Sequence, residues 1–390
     1  MAMDDLRRER PVTLQDVADR CGVAKATVSR ALNGNPEINS TTAARIRDMA
    51  AALGYDPAHF HQARRLAARR SGRRVLNHQV ALLLPAYFHT SRYFSELFHG
   101  LLNTLTPRGY GISISIIPGS HADAFPLTFH PGIVRGEIDG VVLVGHPSHD
   151  KKVLPQLRRH LRDYPCPIVT MILPNAGCAS VVADDAQGGY LAAQHLIAQG
   201  HRHIVYVYDG IEHHGFFRRR DGLWRALREA NIEFDPWTSC FPWCGVPIIP
   251  HHLETTGALL DSDAAGGESS LLRLLREQPD ITALLAQNDV TALQIWYLLR
   301  SAGYRIPEDI SLVGYDDSDP LLDARGRNML TTIALPLREI GQRAAELLLH
   351  QIDTAVVEAT GLTLGVELVR RKTTRRAPAA GAGPRPARHR

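Results

Sequence analysis

The first residues with evident binding chemistry are polar side chains on one short predicted helix near the N-terminus. Lys25, Thr27 and Ser29 share with Ala26 and Arg30 the face that the apolar positions leave open. Hydroxyl groups suit phosphate oxygens, and Lys or Arg can reach O6 and N7 of guanine. Ala26 could only touch a thymine methyl group. The pattern indicates either a surface that reads DNA or the solvated face of a small helical core.

Three short helices must position this face. Thr13 and Asp16 have the spacing of a capping box, which predicts the start of the first helix. Gly22 suits the tight turn that follows, and the second helix runs from about 24 to 32. A third helix starts near position 39. Two short helices joined by a turn that contains glycine form a helix-turn-helix.

The charge distribution also points to a polyanionic partner. Residues 1–76 carry 14 Lys and Arg against 8 Asp and Glu, whereas residues 77–369 carry 22 against 32. The last 21 residues carry 8 basic groups and no acidic group. A basic N-terminal domain on an acidic body suggests that the N-terminal domain faces nucleic acid, although a solvated basic face is the alternative.

The remaining composition favours a cytoplasmic protein. The chain has 390 residues, of which 44% are hydrophobic, with no apolar run long enough to cross a membrane. Its N-terminus lacks the apolar stretch of a secretory signal. Five cysteines do not indicate a disulfide framework. We therefore expect a cytoplasmic location and no membrane partner.

From residue 79 onward, short apolar strands alternate with amphipathic helices in two series. The predicted strands are Val80–Leu84, Ile112–Ile117, Val141–Val144 and Ile168–Ile172 in the first series and Ile204–Tyr208, Ala283–Ala286 and Ile310–Tyr315 in the second. This alternation predicts an α/β body of two doubly wound parallel-sheet lobes behind the all-α helix-turn-helix domain. Ligands of such sheets lie at the carboxyl ends of the strands.

Signatures of enzymes, nucleotide cofactors and metals do not occur in the sequence. There is no GxGxxG or GxxxxGK[ST] loop, no GxSxG elbow and no Cys/His spacing typical of zinc. We therefore expect neither a cofactor nor a metal, and no enzymatic activity.

The residues from Val12 to Tyr55 resemble the DNA-binding domain of the lactose-repressor/galactose-repressor (LacI) family of bacterial regulators. The matching pieces include VTLQDVA, CGVAKATVSRALN and the LGY that precedes Pro57. The resemblance implies that Lys25, Ala26 and Arg30 read bases. It also implies phosphate contacts, which fall on Thr13, Thr27, Ser29 and Asn33.

The segment after this domain carries six arginines between Arg64 and Arg74. In the family it forms a hinge helix whose leucine wedges into the minor groove, and Leu66 is the expected counterpart. The stretch from Pro57 to Leu66 is two residues longer than usual, which would rotate a helix by roughly 200°. Either the extra residues loop out, or Leu66 is not the wedge. A flexible basic linker is the third alternative.

The resemblance extends through the body, in IDGVVLVG, in QNDVTAL and in AGYRIPEDISLVGYDD. It implies a fold of the periplasmic sugar-binding-protein type with an effector between the lobes. Arg219, Asn288 and Asp316 then become effector contacts, with Tyr93 and Phe94 near the sugar face. The plainer alternatives are a surface ion pair for Arg219 and end-of-strand caps for Asn288 and Asp316.

Departures from the family bear on the effector. The position of Ile172 commonly holds an acid, and Leu335 stands where a polar residue is frequent. Additional rings occur at Tyr87, Phe88, Trp237, Phe241 and Trp243. These features predict an effector that is larger or less rich in hydroxyl groups than a simple hexose, although each ring could equally belong to a core or a rim.

The predicted domains are a helix-turn-helix domain (11–57), a hinge (58–76), a bilobal effector-binding and dimerisation domain (77–375) and a disordered basic tail (376–390). The predicted function is a transcription regulator, most simply a repressor, whose affinity for a pseudopalindromic double-stranded operator is controlled by a carbohydrate or related effector. Its expected form is a homodimer or a tetramer. The alternative is a constitutive DNA binder with a degenerate pocket. A transporter-linked solute-binding protein would lack the N-terminal DNA-binding domain, and an enzyme would need a catalytic constellation.

Overall fold

The computed structural model forms two compact units, Met1–Leu76 and Asn77–Arg390. The residues that it describes are 12–32, 35, 37–55, 76–85, 92–117, 129–145, 153–162, 165–174, 177–208, 214–235, 239–242 and 269–378. Among the predicted residues outside these ranges are Asn33, Leu66, Tyr87, Phe88, Trp237 and Trp243.

In the smaller unit, the described residues form a cluster of three helices. They are α1 (Leu14–Cys21), α2 (Lys25–Leu32) and α3 (Ser40–Ala52). The predicted capping box is present. The Thr13 hydroxyl accepts from the backbone N–H of Asp16, and the Asp16 carboxylate accepts from the backbone N–H of Thr13. Gly22 follows α1 at φ +64°, the left-handed conformation of the expected turn. Val17, Val28 and Ile46, one from each helix, are fully buried in a common core.

The described part of the larger unit contains two six-stranded sheets. The strands are β1 (Gln79–Pro85), β2 (Gly111–Ile117), β3 (Gly140–Val144), β4 (Ile168–Met171), β5 (Ala179–Ala183), β6 (Ile204–Tyr208), β7 (Cys240–Pro242), β8 (Ala283–Ala286), β9 (Ser311–Asp316), β10 (Thr331–Ala334), β11 (Gly361–Leu364) and β12 (Glu367–Val369). The first sheet has the order β11-β5-β4-β3-β1-β2 and the second β12-β10-β9-β8-β6-β7. Neighbouring strands are parallel except β12, which runs antiparallel to β10.

Helices follow most strands. They are α4 (Arg92–Leu105), α5 (Pro131–Arg135), α6 (Leu154–His160), α7 (Asp185–Ala198), α8 (His214–Glu229), α9 (Ser270–Glu277), α10 (Asp289–Ser301) and α11 (Leu337–Thr354). We call the first sheet with α4 and α11 the first lobe, and the second sheet with α7, α8 and α10 the second lobe. Strands β3, β4 and β8 are buried along their whole length, as expected of parallel strands covered on both faces. No helix of the described ranges has the length and apolar character needed to cross a bilayer.

The described strands and helices show three crossings of the chain between the lobes. The first crossing joins β5 to α7, the second joins β10 to α11, and the third joins β11 to β12. Helix α11 therefore packs on β3, β4 and β5 although it follows a strand of the second sheet. The two strand series predicted from the sequence did not indicate that the chain returns to the first lobe. The return depends on the pairing of β11 with β5, two strands that lie far apart in the sequence.

The predicted strands are confirmed to within a residue or two at each end. Three differences concern the carboxyl ends of strands, of which the first is that β1 ends at Pro85 and not at Leu84. β4 ends at Met171, and Ile172, predicted as its last residue, has a left-handed φ of +76°. β9 extends one residue further than predicted and ends at Asp316.

Candidate functional site

Helix α2 presents the predicted reading face of the N-terminal unit. Lys25, Ala26 and Arg30 are exposed, whereas Thr27 and Ser29 are half-buried. The apolar residues Val28 and Ala31 occupy the opposite face, inside the core. This division leaves two cations and one methyl group at the helix surface, where base edges could be read.

Thr13 has a structural role that accounts for its position. Its hydroxyl donates to Asp16 Oδ2 at 2.7 Å and accepts from the Asp16 backbone at 3.3 Å. The predicted phosphate contact would have to form alongside this cap.

A buried cluster of charged groups lies at the carboxyl ends of strands in the second sheet. Arg219 of α8 donates from Nε to Asp185 Oδ1 at 2.8 Å and from Nη2 to Asp316 Oδ1 at 3.4 Å. Its Nη1 donates to the main-chain oxygen of Gln287. Arg219, Asp185 and Asp316 are 7%, 8% and 9% exposed, so this is a buried ion-pair cluster and not the surface pair considered from the sequence.

An aromatic ring supports the guanidinium. The Tyr315 ring lies under Arg219 with 3.7 Å from the guanidinium carbon to the ring centroid. The Tyr315 hydroxyl donates to the Asp185 main-chain oxygen at 3.4 Å. Asp185 therefore contacts the cluster through both its side chain and its backbone.

Close contact between α7 and α8 brings Asp185 and Arg219 together. A Cβ atom at Gly189 of α7 would overlap the Arg219 carbonyl oxygen, and one at Gly222 of α8 would overlap the Ala186 carbonyl oxygen. Glycine is required at both positions because backbone, not a flexible side chain, stands in the way. The predicted effector residue Arg219 is thus placed by glycines on two helices.

The turn that carries Asp316 is held in an unusual conformation. Asp316 has φ +103° and Asp317 has φ +53°, both in the region that favours glycine. Asp289 Oδ2, at the start of α10, accepts from the backbone N–H groups of Ser318 and Asp319 at 2.9 and 3.3 Å. Its Oδ1 accepts from the Thr332 hydroxyl at 2.6 Å.

Burial raises the pKa of two carboxyl groups in this region, Asp316 and Asp289. Burial raises the pKa of Asp316 well above its ordinary value, with the Arg219 charge opposing this effect. Burial also raises the pKa of Asp289 to about 7, although the three hydrogen bonds that its carboxyl group accepts act to lower it. Although burial opposes the charged form of Arg219, Asp185 and Asp316 hold its pKa above the ordinary value. Two carboxyl groups thus share one guanidinium in a buried setting.

Asn288 has the alternative role considered from the sequence, since it caps α10. Its Oδ1 accepts from the Thr291 backbone at 2.8 Å, which leaves its side-chain NH₂ group as the available donor. The neighbouring Gln287 is 2% exposed, and its Oε1 has no hydrogen-bond partner within the described residues. Such buried, unsatisfied acceptors are uncommon.

The structure brings Arg219 and Asp316 into one cluster. Asn288 directly follows Gln287, whose main-chain oxygen accepts from Arg219. Tyr93 and Phe94 belong instead to the first lobe, in the first turn of α4 after β1. Their rings meet edge to face at 5.2 Å, and both residues are half-buried.

Sequence reasoning missed Asp185, Gln287 and Tyr315. Asp185 follows the carboxyl end of β5, and Gln287 that of β8, so the rule that ligands bind at strand ends could have indicated both. Tyr315 had no comparable signal, because a tyrosine within a buried strand is usually a core residue. Among the described residues, no group of three His, Cys, Asp or Glu side chains is placed to hold a metal ion. An Arg–Asp cluster with an amide donor beside it suits the binding of hydroxyl-bearing molecules.

Comparison with known proteins adds independent findings. A family model described as bacterial regulatory proteins, lacI family, matches residues 13–58, and one described as a periplasmic binding protein-like domain matches residues 193–374. The chain is 30% identical over 349 residues to the HTH-type transcriptional regulator AglR of Rhizobium meliloti (strain 1021), covering 88% of each protein.

Two further similarities extend over most of the chain. It is 27% identical to the HTH-type transcriptional repressor PurR of Aliivibrio salmonicida (strain LFI1238), covering 93% of this chain and 98% of that protein. A solved complex of the transcriptional regulator CelR with cellobiose superposes with a TM-score of 0.60 at 26% identity, covering 93% of this chain and 99% of that one.

Proposed function

The chain belongs to the LacI family of bacterial regulatory proteins, and on this basis we propose that the Arg219 cluster is its effector site and α2 its operator-reading helix. The protein is a helix-turn-helix transcription regulator, not an enzyme, and its DNA binding is controlled by an effector. The observation that carries the proposal is the buried cluster of Arg219, Asp185 and Asp316 at the strand ends of the second lobe.

The proposed effector is a carbohydrate or a related metabolite. CelR, which resembles this chain along most of its length, forms a complex with cellobiose. Asp316 would accept from paired hydroxyl groups and Arg219 would donate to ring or hydroxyl oxygens, both in charge-assisted hydrogen bonds. The side-chain NH₂ group of Asn288 would donate as well. Tyr93 and Phe94 would contribute ring surface from the first lobe.

The proposed operator contacts follow from the exposed face of α2. Lys25 and Arg30 would reach base edges, Ala26 would lie against a base, and Thr27 and Ser29 would bind phosphate oxygens. A regulator that reads genomic DNA in this way acts in the bacterial cytoplasm.

Exposed apolar side chains on both lobes support a homodimer. Ile114 and Ile116 are each 43% exposed on β2, an edge strand of the first sheet. On the second lobe, Tyr297 of α10 and Leu322 are 45% and 55% exposed. Covering such side chains in a symmetric contact would place two reading helices on two operator half-sites.

Light scattering after size-exclusion chromatography tests the dimer. We expect a mass near twice that of the chain, and a monomer for the double variant Ile114→Lys/Ile116→Lys. Val134→Lys, which changes an equally exposed apolar residue of α5, is the matched control and should remain dimeric. A wild-type monomer would contradict the proposed assembly.

Selection of bound duplexes from a random pool at near-physiological salt tests operator recognition. We expect a two-fold symmetric motif. Arg30→Ala should cost roughly 1–3 kcal/mol on that motif and weaken the preference at one base pair. Arg343→Ala, which removes an exposed cation from α11, should leave the preference unchanged. An equal loss for Arg30→Ala on random DNA would mean that Arg30 contacts only phosphate.

The effector site is tested on the selected operator with a panel that includes cellobiose and ribose. We expect one or more sugars to change operator affinity for the wild type. Asp316→Ala should abolish that response while leaving operator affinity itself intact. A wild type that binds its operator but responds to no small molecule would favour the constitutive binder with a degenerate pocket.

A further inference from the structure

The backbone around Asp316 cannot be stable without support from outside the turn. Two consecutive residues with side chains, Asp316 and Asp317, have φ of +103° and +53°. Such a conformation is strained for a residue with a side chain and persists only where its surroundings fix it. The orientation of the Asp316 carboxylate toward Arg219 therefore depends on the groups that hold this turn.

The strongest of these groups is Arg371, near the C-terminal end of the described chain. Its Nη1 donates to Asp317 Oδ1 at 2.8 Å and its Nη2 to Asp317 Oδ2 at 2.9 Å, a bidentate ion pair. The Nη1 atom also donates to the Leu330 carbonyl at 2.8 Å, just before β10. Both side chains are half-buried, at 21% and 25% exposed. A planar fork of this kind fixes orientation as well as charge.

Arg371 is itself fixed by its backbone. Its N–H donates to the Thr331 hydroxyl at 2.9 Å, and two residues later the Thr373 hydroxyl donates to the Leu312 carbonyl at 2.7 Å. The segment after β12 is thus bound to β9 and β10, the two strands that lead into and follow the Asp316 turn.

The other side of the turn is fixed separately, by Asp289, which binds the backbone of Ser318 and Asp319. With Asp317 held by Arg371, three consecutive residues after Asp316 have external partners. Asp316 itself contributes its carboxylate to Arg219 and its carbonyl oxygen to the Leu335 N–H, at 3.3 Å.

We propose that Arg371 is a positioning residue of the effector site: by binding Asp317 it holds the left-handed turn that directs the Asp316 carboxylate to Arg219. The role of the site as an effector site rests on the proposed function, whereas the positioning does not. Because Arg371 follows the third crossing by a few residues, this contact also joins the path between the lobes to the residue that binds effector hydroxyl groups.

A double-mutant cycle on the full-length protein tests the proposal without DNA or effector. The urea midpoint is followed by tryptophan fluorescence, because all four tryptophans lie in residues 77–390. Arg371→Met should lower the midpoint in the wild-type background. In the Asp316→Asn background, which has no carboxylate to direct, the same substitution should lower it by at most half as much. Equal shifts in the two backgrounds would overturn the proposal, since a purely structural contact is additive.

The adjacent residue provides the matched control. Lys372 binds Asp323 at 3.2 Å from a side chain that is 58% exposed. Lys372→Met should cause a small shift that is the same in both backgrounds. If Arg371→Met does not fold, Arg371→Lys enters the same cycle, because lysine keeps the charge but not the planar fork. For either variant, equal shifts in the two backgrounds would show that Arg371 acts independently of the site.

Discussion

Replacing Arg219 by methionine should be among the most destabilising single changes in the larger unit. Methionine keeps an unbranched chain over the Tyr315 ring but removes the charge that Asp185 and Asp316 share. Breaking a buried ion pair by removing one partner costs about 3–5 kcal/mol, because the remaining charge stays buried without compensation. Loss of the contact between the guanidinium and the ring adds up to about 2 kcal/mol. Protonation of Asp316, whose pKa burial already raises, offsets part of this cost. We therefore expect a net loss of about 3–5 kcal/mol at pH 7.

Urea unfolding monitored by tryptophan fluorescence measures this loss. Arg228→Met is the matched control, since Arg228 lies on the same helix and its side chain is exposed. Substitution of an exposed cation of this kind changes stability by about 0.5 kcal/mol or less.

The explanation can be separated from a loss of packing. If unpaired carboxylates cause the instability, the triple variant Arg219→Met/Asp185→Asn/Asp316→Asn should recover more than half of the loss. The difference in free energy of unfolding between the wild type and Arg219→Met should also become smaller as the pH falls, because a protonated carboxyl group needs no counter-charge. A loss below about 1 kcal/mol, or a triple variant no more stable than the single one, would refute the assignment of a buried charge cluster.

Two further predictions follow from the packing and the electrostatics of the second lobe. Gly189→Ala should lower the free energy of unfolding in urea by roughly 1–3 kcal/mol, because its methyl group would push α7 away from the Arg219 backbone. The control Gly361→Ala should change stability little, because the nearest atom to its methyl group would be 3.7 Å away. Equal effects of the two substitutions would contradict a close contact between α7 and α8. The raised pKa of Asp289, about 7, means that the folded protein keeps a proton that the unfolded chain loses, so stability should fall as pH rises from about 4 to 7 by up to roughly 4 kcal/mol. Asp289→Asn should remove that fall, and parallel stability–pH curves for the two proteins would exclude Asp289 as its source.

The sequence predicts local features of this protein well. The Thr13 capping box, the turn at Gly22 and the strand Ala283–Ala286 form as expected because each depends on residues that are neighbours in the chain. The course of the chain between the lobes was not predictable in this way. β11 joins β5, and α11 packs on the first lobe, through contacts between residues far apart in sequence.

The site shows the same distinction. Arg219 and Asp316 were expected as binding residues from family resemblance, yet their mutual contact depends on the approach of α7 to α8 and on the backbone of the Asp316 turn. Ile172 illustrates the opposite error. A β-branched residue after an apolar run was expected to continue the strand, whereas it takes a left-handed conformation that propensity alone disfavours.

Two residues of the cluster, Asp185 and Asp316, lie beside points at which the chain crosses between the lobes. Asp185 stands at the first crossing, and its neighbour Asp184 donates its N–H to the Leu364 carbonyl of the third crossing at 2.8 Å. Leu335, at the second crossing, donates to the carbonyl oxygen of Asp316. A ligand can shift the balance between two lobe orientations only by the difference in its affinity for them. A hydrogen bond to a charged group contributes about 1.5–3 kcal/mol, so one such bond made in a single orientation changes affinity roughly 10- to 100-fold. If the cluster is the effector site, as we propose, an effector that competed for one donor of Arg219, or for the carboxyl group of Asp316, would act on residues that lie beside two of these crossings.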